Sequence, residues 1–233
     1  MEKTFAIVLI LIFTNIFAQS KYPADTLLVS KESSFVEKTV VAPIALWQRL
    51  SYNVPFLKCQ FYPSCSNFAA QSISQHGVVK GSIIAADRIV RCNPAAFHYH
   101  IRDRNPDIPA SENFYVDGRL IDHVPNPPAG PVEFQRGTLF HRAGGQSKSS
   151  RSPILAAGLS AIIPGAGRIY AGRTWDGLFG FLTFALVLNT TYLNYQNGNR
   201  VSTTVLGIGT GIFYLGEIYG AYRSALISHP ENK

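Results

Sequence analysis

With 233 residues, the chain has room for one or two domains of ordinary size. Hydrophobic residues make up 46% and charged residues only 15%, against about 25% charged in a typical soluble domain; this excludes a disordered chain and a wholly soluble one, and points to a membrane protein. The 21 basic residues outnumber the 14 acidic for a net charge of +7, yet no Lys/Arg stripe with interleaved aromatics accompanies them, so nucleic acid is not an expected partner.

The chain opens with a short polar start carrying Lys3, followed by the apolar run Phe5–Phe13 and then Ala18. This pattern predicts a secretory signal peptide over residues 1–18, cut after Ala18. Ile16 at the minus-three position fits the small-residue rule poorly, and a short membrane anchor is the other reading. The run falls short of the ~20 residues a spanning helix needs. Residues 19–41 are polar, without a strong period, and are expected to be a flexible segment.

A second unit is expected over residues 42–125. Pro43–Arg49 is a short apolar stretch in which Trp47 suits either a membrane interface or ordinary core packing. In Cys59–Phe68, Pro63 fixes a turn and Ser64 or Ser66 can cap the helix that follows. That helix runs over Asn67–Gln75 and is stopped by Gly77 after His76. Val78–Val90 reads as another helix, with Val79, Ile83, Ala86 and Val90 on one apolar face. Lys80, Arg88 and Arg91 share a different face, expected either to lie on anionic lipid or to be solvated. Cys92-Asn-Pro94 ends this helix.

These residues carry a long ordered motif: Cys59-x-Phe-Tyr62-Pro63-Ser-Cys65-Ser66-x-Phe68, His76-Gly77, Gly81, Arg88-Ile-x-Arg91-Cys92-x-Pro94 and Asp122-x-Val-Pro125. The motif closely resembles the YidD family, the membrane protein insertion efficiency factors. The resemblance implies a small helical, membrane-associated domain that assists insertion of membrane proteins near the YidC-type insertase and the Sec translocon. It brings no catalytic residues and no cofactor. An older association of such sequences with haemolysis supplies the alternative, a membrane-perturbing or lipid-modifying envelope protein. The chain departs from the family pattern in an expanded Ala95–Ile121 segment, in a further stretch of about 100 residues after Pro125, and in its apparent export signal.

Three cysteines are too few for a disulfide scaffold. Cys59, Cys65 and Cys92 are separated by 5 and 26 residues, whereas zinc sites favour two to four between paired cysteines, so no metal is expected. His76, His98 or His100 could serve as a fourth ligand only by choice after the fact. If the segment is exported, one disulfide and one free thiol are expected, with Cys92 paired to Cys65 or to Cys59. Small buried thiols are a third reading. A Cys65/His76 hydrolase lacks an evident orienting partner.

Residues 126–152 are rich in Pro, Gly and Ser and read as a linker. Three apolar segments follow at Pro153–Gly167, Leu178–Leu193 and Val201–Tyr222, forming an expected helical membrane domain over residues 153–227. The stretch from Ser152 to Arg173 with Trp175-x-Gly177 resembles small membrane hairpins of uncharacterised bacterial families. Glu217, beside Arg223, is expected at the interface. Export with three spans places residues 19–150 outside and most basic flanks inside; two spans without export place the linker, Arg168, Arg173 and the C-terminal tail inside. The first arrangement is adopted, with the 42–125 unit on the periplasmic side of the bacterial inner membrane. The expected protein is thus mainly α and acts by binding membrane lipids, an insertase or translocon, and nascent membrane proteins.

Overall fold

The computed structural model describes residues 23–51, 59–102, 114–125 and 151–227. The expected signal peptide and nearly all of the expected linker lie outside the described residues. The fold is mainly α, as the sequence predicts.

Helix α1 (Pro23–Val29) and the first turns of α2 (Phe35–Ser51) lie in the 19–41 stretch expected to be flexible, and α2 continues through Pro43–Arg49. The signal for α2 is a capping box. The Glu37 amide donates to Ser34 Oγ at 3.2 Å, and Glu37 Oε2 accepts from the Ser34 amide at 2.8 Å. Pro43 lies inside this helix rather than at its start. α1 and α2 bury Ala24, Val41 and Ala45 against Ala70 and Ile73.

Those last two residues belong to α3 (Cys65–His76), which Ser64 caps by accepting from the Asn67 amide at 3.4 Å. Gly77, at φ +77°, turns the chain directly into α4 (Val78–Arg91). The two helices lie so close that a Cβ on Gly81 would sit 2.6 Å from the Ile73 Cα. A short helix α5 (Ala96–Arg102) follows. The two-residue strands β1 (Phe61–Tyr62) and β2 (Leu120–Ile121) pair in parallel. This pairing carries Asp122 back beside α4, with the Asp122 amide donating to Tyr62 O at 3.0 Å.

The C-terminal part begins with α6 (Pro153–Ile162), capped by Ser152 and opened by Pro153. Pro164-Gly165 breaks it, with Gly165 at φ +87°. After α7 (Ala166–Tyr170) come α8 (Thr174–Gln196) and α9 (Arg200–Ile227), an antiparallel pair joined by Asn197–Asn199. With 23 and 28 residues, α8 and α9 reach about 35 and 42 Å, enough to cross the ~30 Å hydrocarbon core. α6 has 10 residues and reaches only about 15 Å. Among the described residues α8 and α9 are therefore the two candidate spans, and α6 is too short by itself to be the third that the three-span arrangement calls for.

The hairpin is buried at one end only. Asp176, Gly177 and Gly180 of α8, and Gly216, Glu217, Gly220 and Ala221 of α9, are enclosed. Toward the Asn197–Asn199 turn, Leu182, Leu186, Val205 and Ile208 are each more than half exposed, as a lipid-facing surface requires. The enclosed end packs against α4. Tyr219 joins Phe68, Ile84 and Val124 in one apolar cluster, and the Trp175 amide donates to Tyr99 Oη at 3.0 Å. The two parts, expected as separate units joined by a linker, share this interface.

Candidate functional site

The interface holds a network of ion pairs centred on Asp87 and Asp122. Asp87 Oδ2 lies 3.0 Å from Arg91 Nε, one helical turn on, and 3.2 Å from Arg223 Nη1. Its Oδ1 lies 2.7 Å from Arg168 Nη2. Asp122 Oδ2 meets Arg91 Nη1 at 2.6 Å and Arg88 Nε at 2.9 Å, and its Oδ1 meets Arg223 Nη2 at 3.4 Å. Arg168 Nε also reaches Glu217 Oε2 at 3.1 Å. A neighbouring group joins Arg173 Nε to Asp176 Oδ2 at 2.6 Å, while Asp176 Oδ1 accepts from Asn93 Nδ2 at 2.6 Å.

The side chains of Arg88 and Arg168 are fully enclosed. Removing such charges from water costs several kcal/mol per ion unless each is matched and hydrogen-bonded. Burial pushes the Asp87 carboxyl up, but Arg91, Arg168 and Arg223 together outweigh it and hold the group well below the usual carboxylate range. Asp122 is held low in the same way by Arg91, Arg88 and Arg223 against its own burial. Burial pushes Arg88 down, with Asp122 opposing.

This geometry corrects the expected basic face of α4. Lys80 is exposed, but Arg88 and Arg91 point into the molecule toward carboxylates. Val79, expected on the apolar face, is 72% exposed, whereas Ala86 and Val90 are buried as expected, together with Gly81, Ile84, Ala85 and Arg88. Glu217 is likewise an enclosed partner of Arg168 rather than an interfacial residue.

Arg88 links this network to the cysteines. Its guanidinium lies 3.6 Å above the Phe61 ring, donates to Pro63 O at 3.3 Å and approaches Cys65 Sγ at 3.8 Å. The sulfur atoms of Cys59, Cys65 and Cys92 all lie within 4.8 Å of one another. Cys59 Sγ is 3.3 Å from Cys65 Sγ and 3.8 Å from Cys92 Sγ. All three thiols are unpaired in the structure, where the export reading expects a bridge from Cys92 to Cys65 or Cys59. Hydrogen bonds from the Cys65 and Cys92 thiols draw Cys59 well below the ordinary thiol range, against the opposing effect of burial. The same bond to Cys59 pushes Cys65 up.

The remaining motif residues are placed elsewhere. His76 Nε2–H donates to Pro125 O at 2.6 Å, closing the far end of α3 against the tail. Cys65 and His76 open and close α3, about 16 Å apart, and form no dyad. Tyr62 stacks on Tyr115 with ring centroids 3.8 Å apart. Ser66 Oγ lies 3.3 Å from Ser64 Oγ, and Pro94 is exposed after α4. Sequence reasoning did not single out Asp87, Asn93 or Asp176. For Asp87 a local signal existed, its i,i+4 spacing to Arg91.

Comparison with known proteins agrees with the motif. The YidD family model, described as "Putative membrane protein insertion efficiency factor", matches residues 36–103. A protein of that description from Anaeromyxobacter sp. (strain Fw109-5) is 41% identical over 63 residues, covering 27% of this chain and 82% of its own. One from Exiguobacterium sp. (strain ATCC BAA-1283 / AT1b) is 39% identical over 72 residues, 31% of this chain and 79% of its own. One from Thermoanaerobacter pseudethanolicus is 39% identical over 59 residues, 25% of this chain and 86% of its own. No solved structure matches.

Proposed function

The chain belongs to the YidD family, and on that premise we propose that it assists insertion or folding of integral membrane proteins by binding, without turnover, close to a YidC-type insertase or the Sec translocon. The observation that carries this reading is the enclosed ion network. It fastens Asp87 of the family segment to Arg168 and Arg223 of the C-terminal part, so the family domain rides on the end of an apolar helical hairpin. α2 adds a second membrane contact: Phe35, Val36, Leu46, Trp47 and Leu50 are all more than half exposed on it, as suits a helix resting on lipid headgroups.

The two-span hairpin bears on orientation. Arg168, Arg173 and Arg223 cluster at the enclosed end, whereas Arg200 stands at the turn. Basic residues favour the cytoplasmic side, so the family domain is assigned to the cytoplasmic face, in place of the periplasmic side that three spans required. A fluorescent-protein fusion after Lys233 is expected to glow, and an alkaline phosphatase fusion there to be inactive; the reverse pair overturns the orientation.

The function is tested by placing a photoreactive side chain at Trp47 in cells. Cross-links to nascent inner-membrane proteins or to the insertase are expected. Liposome leakage by the purified protein, with no such cross-links, would replace this reading with the membrane-perturbing one.

A further inference from the structure

We propose that Cys59, Cys65 and Cys92 together bind one thiophilic d10 cation, Zn2+ or Cu+, as thiolates. The inference does not depend on the insertion reading. It rests on three sulfur atoms carried by separate elements to one point: the segment before β1, the first residue of α3 and the residue after α4. Thiolates at ~2.3 Å from one metal ion lie roughly 3.8–4.0 Å apart. The observed 3.3 and 3.8 Å separations, with all pairs inside 4.8 Å, bracket that value. They are far from the ~2.05 Å of a disulfide.

The surroundings suit anionic sulfur. Cys65 opens the 12-residue α3, where the helix dipole favours a thiolate. The enclosed guanidinium of Arg88, 3.8 Å from Cys65 Sγ, offsets the surplus negative charge that three thiolates leave on a monovalent or divalent cation. Phe61, Ala96 and Leu120 wall the cluster, while each cysteine remains partly exposed, which gives the ion an entry path. Binding transfers the thiol protons to solvent, and no electron transfer is required. Thiolate ligands select Zn2+ and Cu+ over the hard cations.

The test uses the full chain, purified in detergent under reducing conditions. Cobalt(II), as a reporter for zinc, is titrated while the near-ultraviolet sulfur-to-cobalt charge-transfer band is followed. Cu+ is titrated against a chromogenic chelator. One equivalent per chain is expected for at least one ion, and the tighter of the two identifies it. Cys59→Ser, Cys65→Ser and Cys92→Ser should each weaken binding by more than about tenfold, with α-helical circular dichroism checked for each variant. Binding of neither ion by the wild-type chain, with three titratable thiols present, overturns the proposal. So does a disulfide found by mass spectrometry in protein alkylated at cell lysis.

Discussion

Asp87 accepts from three guanidinium groups, on α4, α7 and α9, and no other carboxylate in the described network has partners on three helices. Removing it leaves the enclosed Arg168 with Glu217 as the one carboxylate in contact, beside the Gly216 carbonyl. Breaking a buried pair in this way costs about 3–5 kcal/mol, so Asp87→Ala is expected to lower the unfolding midpoint in detergent steeply, and Asp87→Asn, which keeps the shape, nearly as much. A midpoint within a degree of wild type would show that the network contributes nothing. The same residue sets a pH dependence. The groups facing it are Arg91, Arg168 and Arg223, with Asp122 and Glu217 sharing those cations. Its folded pKa is held below the ordinary range of an aspartate, about 4, so its contribution is present above about pH 4 and is lost as pH falls below that. Stability followed by thermal unfolding should be flat from pH 7 to about 5 and drop below about 4. Of these residues the sequence showed only the types. Arg88 and Arg91 share a helical face, as the periodicity says. Their shared partner Asp122 lies 31 residues beyond Arg91, however, so a wheel drawn on α4 alone offers one acid, Asp87, for two arginines and leaves the surplus charge to lipid. For the cysteines, local spacing spoke only against a metal site, while the expected bridge from Cys92 to Cys65 or Cys59 already required the three to lie close; that closeness comes from tertiary packing, which brings Cys92 to the other two.

At the scale of elements, glycines decide how closely α9 can approach. A Cβ on Gly216 would stand 2.8 Å from the Ala86 side chain, and one on Gly220 would collide with both Arg168 and Asp87. Gly209 and Gly211, on the same helix, have nothing within 4 Å. Gly220→Leu should therefore cost several times more stability than Gly209→Leu, read as the difference in unfolding midpoint. Gly209→Ala should leave stability within about 1 kcal/mol. Equal effects at the two positions would mean that α9 does not pack as described. Most element boundaries follow from residues readable in isolation: Ser64 and Ser152 as caps, Gly77 as the turn, Pro164-Gly165 as a break. α2 did not follow, although Ser34-x-x-Glu37 is a capping box. Pro43 looked like the beginning of an element, but the helix accommodates it internally.

For the whole molecule, the interface makes the two parts mutually dependent. A chain ending at residue 150 loses Arg168, Asp176, Glu217 and Arg223 together, and leaves the faces of Ala86 and Asp87 that Gly216 and Gly220 cover open to water. It is expected to expose apolar surface and to be cleaved by protease at least tenfold faster than the same segment in the full chain. Comparable cleavage rates would show that the family domain stands alone. The full chain should stay in the pellet after a carbonate wash, because α8 and α9 present Leu186, Val205 and Ile208 outward. The presence of a membrane part was legible from long apolar runs almost free of charge, Leu178–Leu193 above all. Its attachment to the family domain was not, since the pairs that make it join residues 81, 83 and 136 positions apart.

The one-sided burial of the hairpin also bears on how the protein itself reaches the bilayer. On the two-span reading proposed above, both enclosed ends lie on one face, and the described segment that must travel across is the turn Asn197–Asn199 with its immediate flanks, including Arg200. Among the described residues, that passage moves nothing folded and one fixed charge through hydrocarbon. The desolvation cost of transit is therefore small beside the gain from burying two apolar helices. Such a pair can enter as a unit from the side on which it is made, needing a surface that lowers the entry barrier rather than an energy-driven pore.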